Sequence, residues 1–145
     1  MKSLFATSND HVVAFLRLVL GIIFFVHGGQ IALGWFHGYG FHASMHAFES
    51  LGIPAVFAFV AICAQFFGAI GLIVGLLTRI AAFGIGMTML VAVLKIHLAV
   101  GFFMNWYGAQ KGEGYEYHLL VIAISIALIV KGAGALSIDR AIAKA

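Results

Sequence analysis

The chain has 145 residues, of which 63% are hydrophobic and only 9% are charged, and its mean hydropathy is +1.11. A soluble globular domain has about 45–50% apolar and about 25% charged residues. A fold of this size also leaves about a third of its unfolded surface exposed, so the excess apolar surface must face lipid. The formal charge of +3 is carried by single scattered residues, which excludes a phosphate-binding stripe for nucleic acid.

Four apolar runs predict four membrane-spanning helices, because a span needs about 20 mostly apolar residues. The runs cover residues 12–33, 55–77, 80–104 and 117–133. Asp10 and His11 precede the first run and no small-residue cleavage site follows it, which favours a retained helix over a signal peptide. The sequence therefore predicts one domain over residues 1–145, an all-α integral membrane four-helix bundle.

The connection after the first run is longer than a turn, and residues 45–51 predict a short amphipathic or re-entrant helix there. Within the second run, small residues recur at spacings of three and four, namely Ala64, Gly68, Gly71 and Gly75. Such a stripe lets helix backbones approach closely in lipid. We expect it to pack within the bundle, with a homodimer interface as the alternative.

The basic residues predict the orientation of the bundle. The end that carries both termini holds six of them: Lys2, Arg17, Arg79, Lys131, Arg140 and Lys144. The opposite end holds Lys95 and Lys111. Because basic residues are enriched on the cytoplasmic side, both termini are predicted to be cytoplasmic. Arg17 is expected to extend to the cytoplasmic interface or to bind an anionic lipid headgroup.

Polar side chains within the runs are candidate functional groups, because an ionisable residue at mid-helix costs about 2.5–3.5 kcal/mol on insertion scales. His27, His97 and His118 come from three different runs and are predicted to converge as catalytic residues in one pocket of the outer half. The candidate cofactor-binding residues around them are Gln30, Trp35, Gln65, Lys95 and Glu116.

Each of these groups also has a structural interpretation. Lys95 is two residues from His97, so it is expected to point away from the pocket and to reach the headgroups instead. Glu116 could pair with a cation at the interface, and any single histidine could serve only in packing. Cys63 lies in an apolar run and is predicted to be a small buried hydrophobe.

A metal site is not predicted. His42 and His46 are four residues apart, with His37 and Glu49 nearby, and imidazoles suit zinc or copper, but this spacing lacks a full ligand set. Haem held by two histidines has no attachment motif to support it.

Four stretches of the sequence together resemble the DoxX family of small bacterial and archaeal membrane proteins. They are "LRLVLGIIFFVHGGQIALGWF", "LGIPAVFAFVAICAQFFGAIGLIVGLLTRIAAF", "GFFMNWYGAQKGEGYEYHLL" and "GAGALSIDR". The resemblance implies a four-helix bundle in the plasma (inner) membrane of a prokaryote. It also implies a link to redox chemistry, since the family is named after subunits of a thiosulfate:quinone oxidoreductase.

The sequence also departs from a common pattern of that family. Many members have lysine near Gln30 and glutamate at the position of Gln65, and the two neutral amides here remove that charge pair. Arg79 in "GLLTR" and Asp139 in "LSID" do match the family pattern.

The leading hypothesis is a redox-associated membrane subunit that binds a quinone or a similar lipophilic molecule, with a histidine as hydrogen-bonding and proton-carrying group. A protein partner or bound cofactor would deliver the electrons, so the chain could be one subunit of a quinone-linked oxidoreductase. The alternatives are a non-catalytic membrane anchor or assembly partner and, less favoured, a small transporter. A homo-oligomer is a further expectation.

The orientation can be tested by cysteine labelling in a Cys63→Ala background. Lys144→Cys should not react with a membrane-impermeant maleimide in intact cells and should react after permeabilisation. Lys111→Cys, in the connection predicted to be external, is the matched control and should react in both conditions. Labelling of residue 144 from outside would refute the predicted orientation.

Overall fold

The computed structural model describes residues 2–144, and side chains from residue 4 onward. The predicted domain of residues 1–145 also includes Met1 and Ala145, which lie outside the described residues. Within the described range the chain is helical and forms no strand. The predicted all-α class is therefore confirmed.

Eight α-helices, one 3-10 turn and one π turn follow one another along the described chain. They are α1 (Lys2–Phe5), α2 (His11–Leu33), a 3-10 turn (Trp35–His37), α3 (Gly40–Ser50), α4 (Ala55–Val74), α5 (Thr78–Ala92), a π turn (Val93–His97), α6 (Leu98–Val100), α7 (Glu116–Lys131) and α8 (Ile138–Lys144). The short helix predicted in the first long connection is present as α3, and it begins five residues earlier than predicted.

Three helical segments are long and apolar enough to cross a membrane: His11–Leu33, Ala55–Val74 and Thr78–Val100, the last comprising α5, the π turn and α6. The third segment ends at Val100 rather than at residue 104, because Gly101 has a φ of 120° that breaks the helix. Helix α7 has 16 residues, about 24 Å at 1.5 Å per residue. The fourth crossing therefore stays a prediction.

Local sequence explains where the long helices begin and end. Asp10 caps α2, because its carboxylate accepts hydrogen bonds from the backbone N–H groups of Val12 and Val13 at 2.9 and 3.1 Å. At the other end, Gly34 adopts a left-handed φ of 75° and its N–H returns to the Gln30 carbonyl. Gly75 ends α4 in the same way, with φ 69°.

The helices α2, α4, α5 and α7 form the bundle, each packing against two neighbours in the cyclic order α2–α4–α5–α7. Small residues lie at the contacts. A Cβ on Gly28 would come within 2.7 Å of the Gln65 backbone, and one on Gly84 within 2.9 Å of the Ala64 Cβ. Of the predicted stripe on α4, Ala64 thus packs against Gly84 of α5, and Gly75 lies against Ser137, where an added Cβ would come within 2.4 Å. The predicted packing within the chain is confirmed at these two positions, whereas a Cβ on Gly68 would still be 3.7 Å from Ala81 of α5.

Arg17 is the main polar group of the core, with only 1% of its surface exposed. Its guanidinium donates to the carbonyls of Leu72 and Ile73 in the last turn of α4. It also donates to three carbonyls in the segment between α7 and α8, those of Ala133, Ala135 and Leu136. The expectation that Arg17 reaches the interface is therefore wrong, because the unpaired carbonyls of two helix ends converge on it.

Two more charged side chains hold the same end of the bundle. The buried Asp139 carboxylate accepts from the N–H groups of Leu77 and Thr78 at 2.7 and 2.9 Å, which caps the start of α5. Arg79 donates to the carbonyls of Ile129 and Val130 near the end of α7. The residues that match the family pattern, Arg79 and Asp139, thus serve helix ends.

Arg17→Met should destabilise the protein by about 3 kcal/mol or more, because several buried carbonyls would lose their donor at a cost of about 1–3 kcal/mol each. Lys131→Met is the control, since Lys131 is an exposed cation at the same end of the bundle. Its effect should stay within about 0.5 kcal/mol. Equal thermal stability of the two variants in detergent would contradict the structural role of Arg17.

Candidate functional site

A long groove runs along the side of the bundle between α4 and α5, with a volume of about 1180 Å³. Its walls are aromatic and aliphatic, and Phe57, Phe67 and Phe83 are each more than half exposed along it. The groove extends along the third membrane segment from Ile80 to Ile96, a distance of about 24 Å. Because these walls are apolar and open outward, the groove faces the lipid.

Few polar side chains line this apolar groove. Gln65 lies midway along α4, and its side chain is only 7% exposed. Lys95, His97 and His118 lie toward the end of the groove near the connections at α3 and α7. This arrangement, apolar walls with a few polar groups at particular points, is typical of sites for small lipophilic ligands.

His97 and His118 form a close pair at that end of the groove. Their ring centroids are 4.0 Å apart, with an angle of 38° between the ring planes. His118 lies in the first turn of α7 and is 7% exposed, whereas His97 is half-buried. The buried Nδ1 of His118 has no partner with good hydrogen-bond geometry among the described residues.

Local backbone geometry places His97 in this pair. The π turn Val93–His97 interrupts the regular α-helical spacing of the third segment, and such turns occur frequently at functional sites. His97 is further held by the following loop, because its Nδ1 lies 2.7 Å from the carbonyl oxygen of Glu113. A carbonyl only accepts, so Nδ1 carries the proton.

The loop between α6 and α7 is held by two glutamates, Glu113 within the loop and Glu116 at the start of α7. Glu113 Oε2 accepts from the N–H of Asn105 at 2.8 Å. Glu116 Oε1 accepts from the N–H of Met104 at 3.1 Å and from the indole N–H of Trp106 at 3.2 Å. Glu116 therefore fixes the conformation of the loop that follows His97. It is not among the residues that line the groove.

Lys95 lines the groove together with His97, so the expectation that it points away is wrong. Side chains two apart lie on opposite sides of a regular α-helix, but the π turn changes that spacing. A Cβ on Gly52 would lie 3.8 Å from the Lys95 Nζ. The ammonium is thus beside the turn that joins α3 to α4.

His27 lies at a different depth from the histidine pair. Its neighbour Gly28 packs on the backbone of Gln65 and Phe66, and Ala64 packs on Gly84. His97 is 13 positions beyond Gly84, about 20 Å along the helix. His27 is exposed and does not line the groove. The three histidines therefore do not converge, because the contacts at the glycines set His27 at the middle level of the bundle.

Gln30, near the end of α2, and Trp35, in the 3-10 turn, lie away from the groove. The Trp35 ring is 5.6 Å from that of Phe25 and 6.0 Å from that of Phe66, in edge-to-face contacts. The backbone of Gln30 lies against Gly38. Neither Gln30 nor Trp35 lines the groove, so their predicted role in ligand binding gains no support from the geometry.

The histidines of the first long connection lie on the outside of α3. His42 and His46 share one exposed face with Tyr39. Among the described residues, no group of three or more histidine, cysteine, aspartate or glutamate side chains is arranged to hold a metal ion.

Sequence reasoning missed two features of the site. The Glu113 carbonyl that orients His97 is a backbone group, so no residue type signals it. The groove walls are formed by lipid-facing phenylalanines such as Phe67 and Phe83. In the sequence these residues cannot be distinguished from the other apolar residues of a span.

Comparison with known proteins agrees with this fold. The sequence profile of the DoxX family matches residues 12–111. The chain belongs to the DoxX family. The predicted resemblance is thereby confirmed, and the matched range includes Gln65, Lys95 and His97.

Two known proteins are similar in sequence to this DoxX protein. A Bacillus subtilis (strain 168) protein named "Putative oxidoreductase CatD" is 32% identical over 113 residues, which are 78% of this chain and 75% of that protein. An Escherichia coli (strain K12) protein named "Inner membrane protein YqjF" is 28% identical over 137 residues, 94% of this chain and 95% of that protein. No solved structure matches the chain.

The contact between His97 and Glu113 predicts the tautomer of the neutral ring. In protein labelled with ¹⁵N-histidine, neutral His97 should show a protonated Nδ1 and an unprotonated Nε2, because the carbonyl accepts only from Nδ1. The His97→Gln variant assigns the signal. A neutral His97 protonated at Nε2 would contradict the observed geometry.

Proposed function

We propose that this DoxX protein binds a quinone, or a similar lipophilic redox molecule, in the groove between α4 and α5, as part of a redox-associated membrane assembly. The observation that carries the proposal is the His97–His118 pair at one end of a long apolar groove open to lipid. The name of the Bacillus relative, "Putative oxidoreductase CatD", is compatible with it.

The shape of the groove suits an elongated ligand with one polar end. Its length of about 24 Å and its phenylalanine walls would accommodate an isoprenoid or alkyl tail along α4 and α5. The polar head would then lie at His97 and His118, with Lys95 at the edge. A ligand that enters sideways from the bilayer would bury its tail against the exposed phenylalanines without having to cross water.

Gln65 adds a polar group partway along the groove. Its side chain lines the groove wall and is 7% exposed. A hydrogen bond from this amide to a ligand atom would contribute about 0.5–1.5 kcal/mol. The groove therefore favours a molecule that also has a polar atom at that depth.

The chain would contribute binding and protons rather than electrons. Reduction of a quinone to a hydroquinone takes two electrons and two protons. An imidazole can both accept and donate a proton, and the pair lies at the end of the groove where a polar head would be bound. The electrons would come from a partner protein that carries a redox cofactor.

The finer features of location belong to the same proposal. The name of the Escherichia relative, an inner membrane protein, and the basic residues at the end with both termini support the inner membrane of a prokaryote with cytoplasmic termini. In that orientation the histidine pair lies near the outer surface. A cofactor-bearing partner would then approach from the outside, over the tied loop of Trp106.

The proposal predicts a bound lipophile in protein purified in mild detergent. Mass spectrometry should detect a quinone at near-equimolar amount in the unmodified protein and at least about tenfold less in His97→Phe, which removes the polar contact at the head. His27→Phe, an exposed histidine at the middle level, is the matched control and should retain the ligand.

Two results would contradict the proposal. One is a protein without any lipophile but with a stoichiometric protein partner, which would favour the anchor interpretation. The other is equal loss of the ligand in His97→Phe and His27→Phe, which would locate the ligand outside the groove.

A further inference from the structure

We infer that the groove recognises the hydroquinone form of its ligand, a lipophilic ring with a phenolic hydroxyl, in preference to the oxidised quinone. This inference rests on the proposed function and specifies which redox form the site is built to bind. It depends on which nitrogen of His97 remains available to a ligand.

The loop determines that nitrogen. The Nδ1–H of His97 donates to the Glu113 carbonyl oxygen at 2.7 Å, so in the neutral ring Nε2 has a lone pair and no proton. Nε2 is therefore an acceptor. It can take a hydrogen bond from a hydroxyl, whereas the carbonyl oxygen of a quinone would present a second acceptor to it.

The carboxylates near this ring are used elsewhere. Glu113 and Glu116 accept hydrogen bonds from N–H groups of Asn105 and Met104, and neither glutamate is among the residues that line the groove. The Nε2 of the neutral His97 ring is therefore the acceptor that this residue offers to a ligand hydroxyl at this end of the groove.

The preference has a thermodynamic consequence for the bound molecule. A site that binds the reduced form more tightly raises the midpoint potential of the bound couple, because it stabilises the product of reduction. For a two-electron couple, a tenfold preference corresponds to a rise of about 30 mV. The groove would thus retain the hydroquinone after it forms and release the quinone.

The test measures the affinity of the purified protein in lipid nanodiscs for a decyl-substituted benzoquinone and, under argon, for its hydroquinone. The hydroquinone should bind at least about tenfold more tightly, the ratio that one hydrogen bond made or lost supports. His97→Gln should reduce this ratio toward one, because an amide can rotate to donate or accept. His27→Gln should leave the ratio unchanged.

The outcomes separate the inference from the proposed function. Equal affinity for both forms in the unmodified protein, or tighter binding of the quinone, overturns the inference and leaves the groove as a quinone site. An unchanged ratio in His97→Gln also overturns it, because the preference would then come from another group. Binding of neither form overturns the proposed function together with the inference.

Discussion

The buried guanidinium of Arg17 is the interaction on which the rest of the structure depends. Helix ends leave carbonyls without partners, and in a membrane protein they cannot all be turned to water. Arg17 donates hydrogen bonds to carbonyls at the end of α4 and in the segment after α7. These bonds join three parts of the chain that are distant in sequence. Arg79 and Asp139 extend this network to α5 and α7. One end of the bundle is therefore held by buried polar contacts between helix ends, and the candidate site lies at the opposite end.

Small residues then determine how the helices meet and what remains open. Gly28 of α2 packs against the α4 backbone and Gly84 of α5 packs against Ala64 of α4, which brings the backbones close together at the middle level. Apolar burial alone gives little drive for such association in lipid. The large side chains, such as Phe67 and Phe83, are displaced to the outside of the α4–α5 contact. The apolar groove is the consequence, because two helices that pack closely at small residues and carry large side chains on either side of that contact leave a groove between those side chains.

The candidate site arises where this regular packing ends. The π turn ending at His97 alters the helical spacing, so that Lys95 and His97 both reach the groove. In the following loop, the Glu113 carboxylate accepts a hydrogen bond from the N–H of Asn105, and the Glu113 carbonyl accepts one from His97. His118, at the start of α7, completes the pair. The loop thus fixes the orientation of one ring, and the helix fixes the position of the other.

The sequence by itself determined the class of this protein and its helices, because apolar runs of 20 residues have only one stable form in lipid. It also indicated that His97 and His118 are significant, since each is a costly group near a span end. Tertiary structure alone decided the role of Arg17, which depends on carbonyls more than 50 positions away, and the exclusion of His27, which depends on contacts at Gly28 and Gly84. Neither the π turn nor the role of the Glu113 carbonyl could be predicted from the sequence, because backbone geometry and backbone acceptors are common to all residue types.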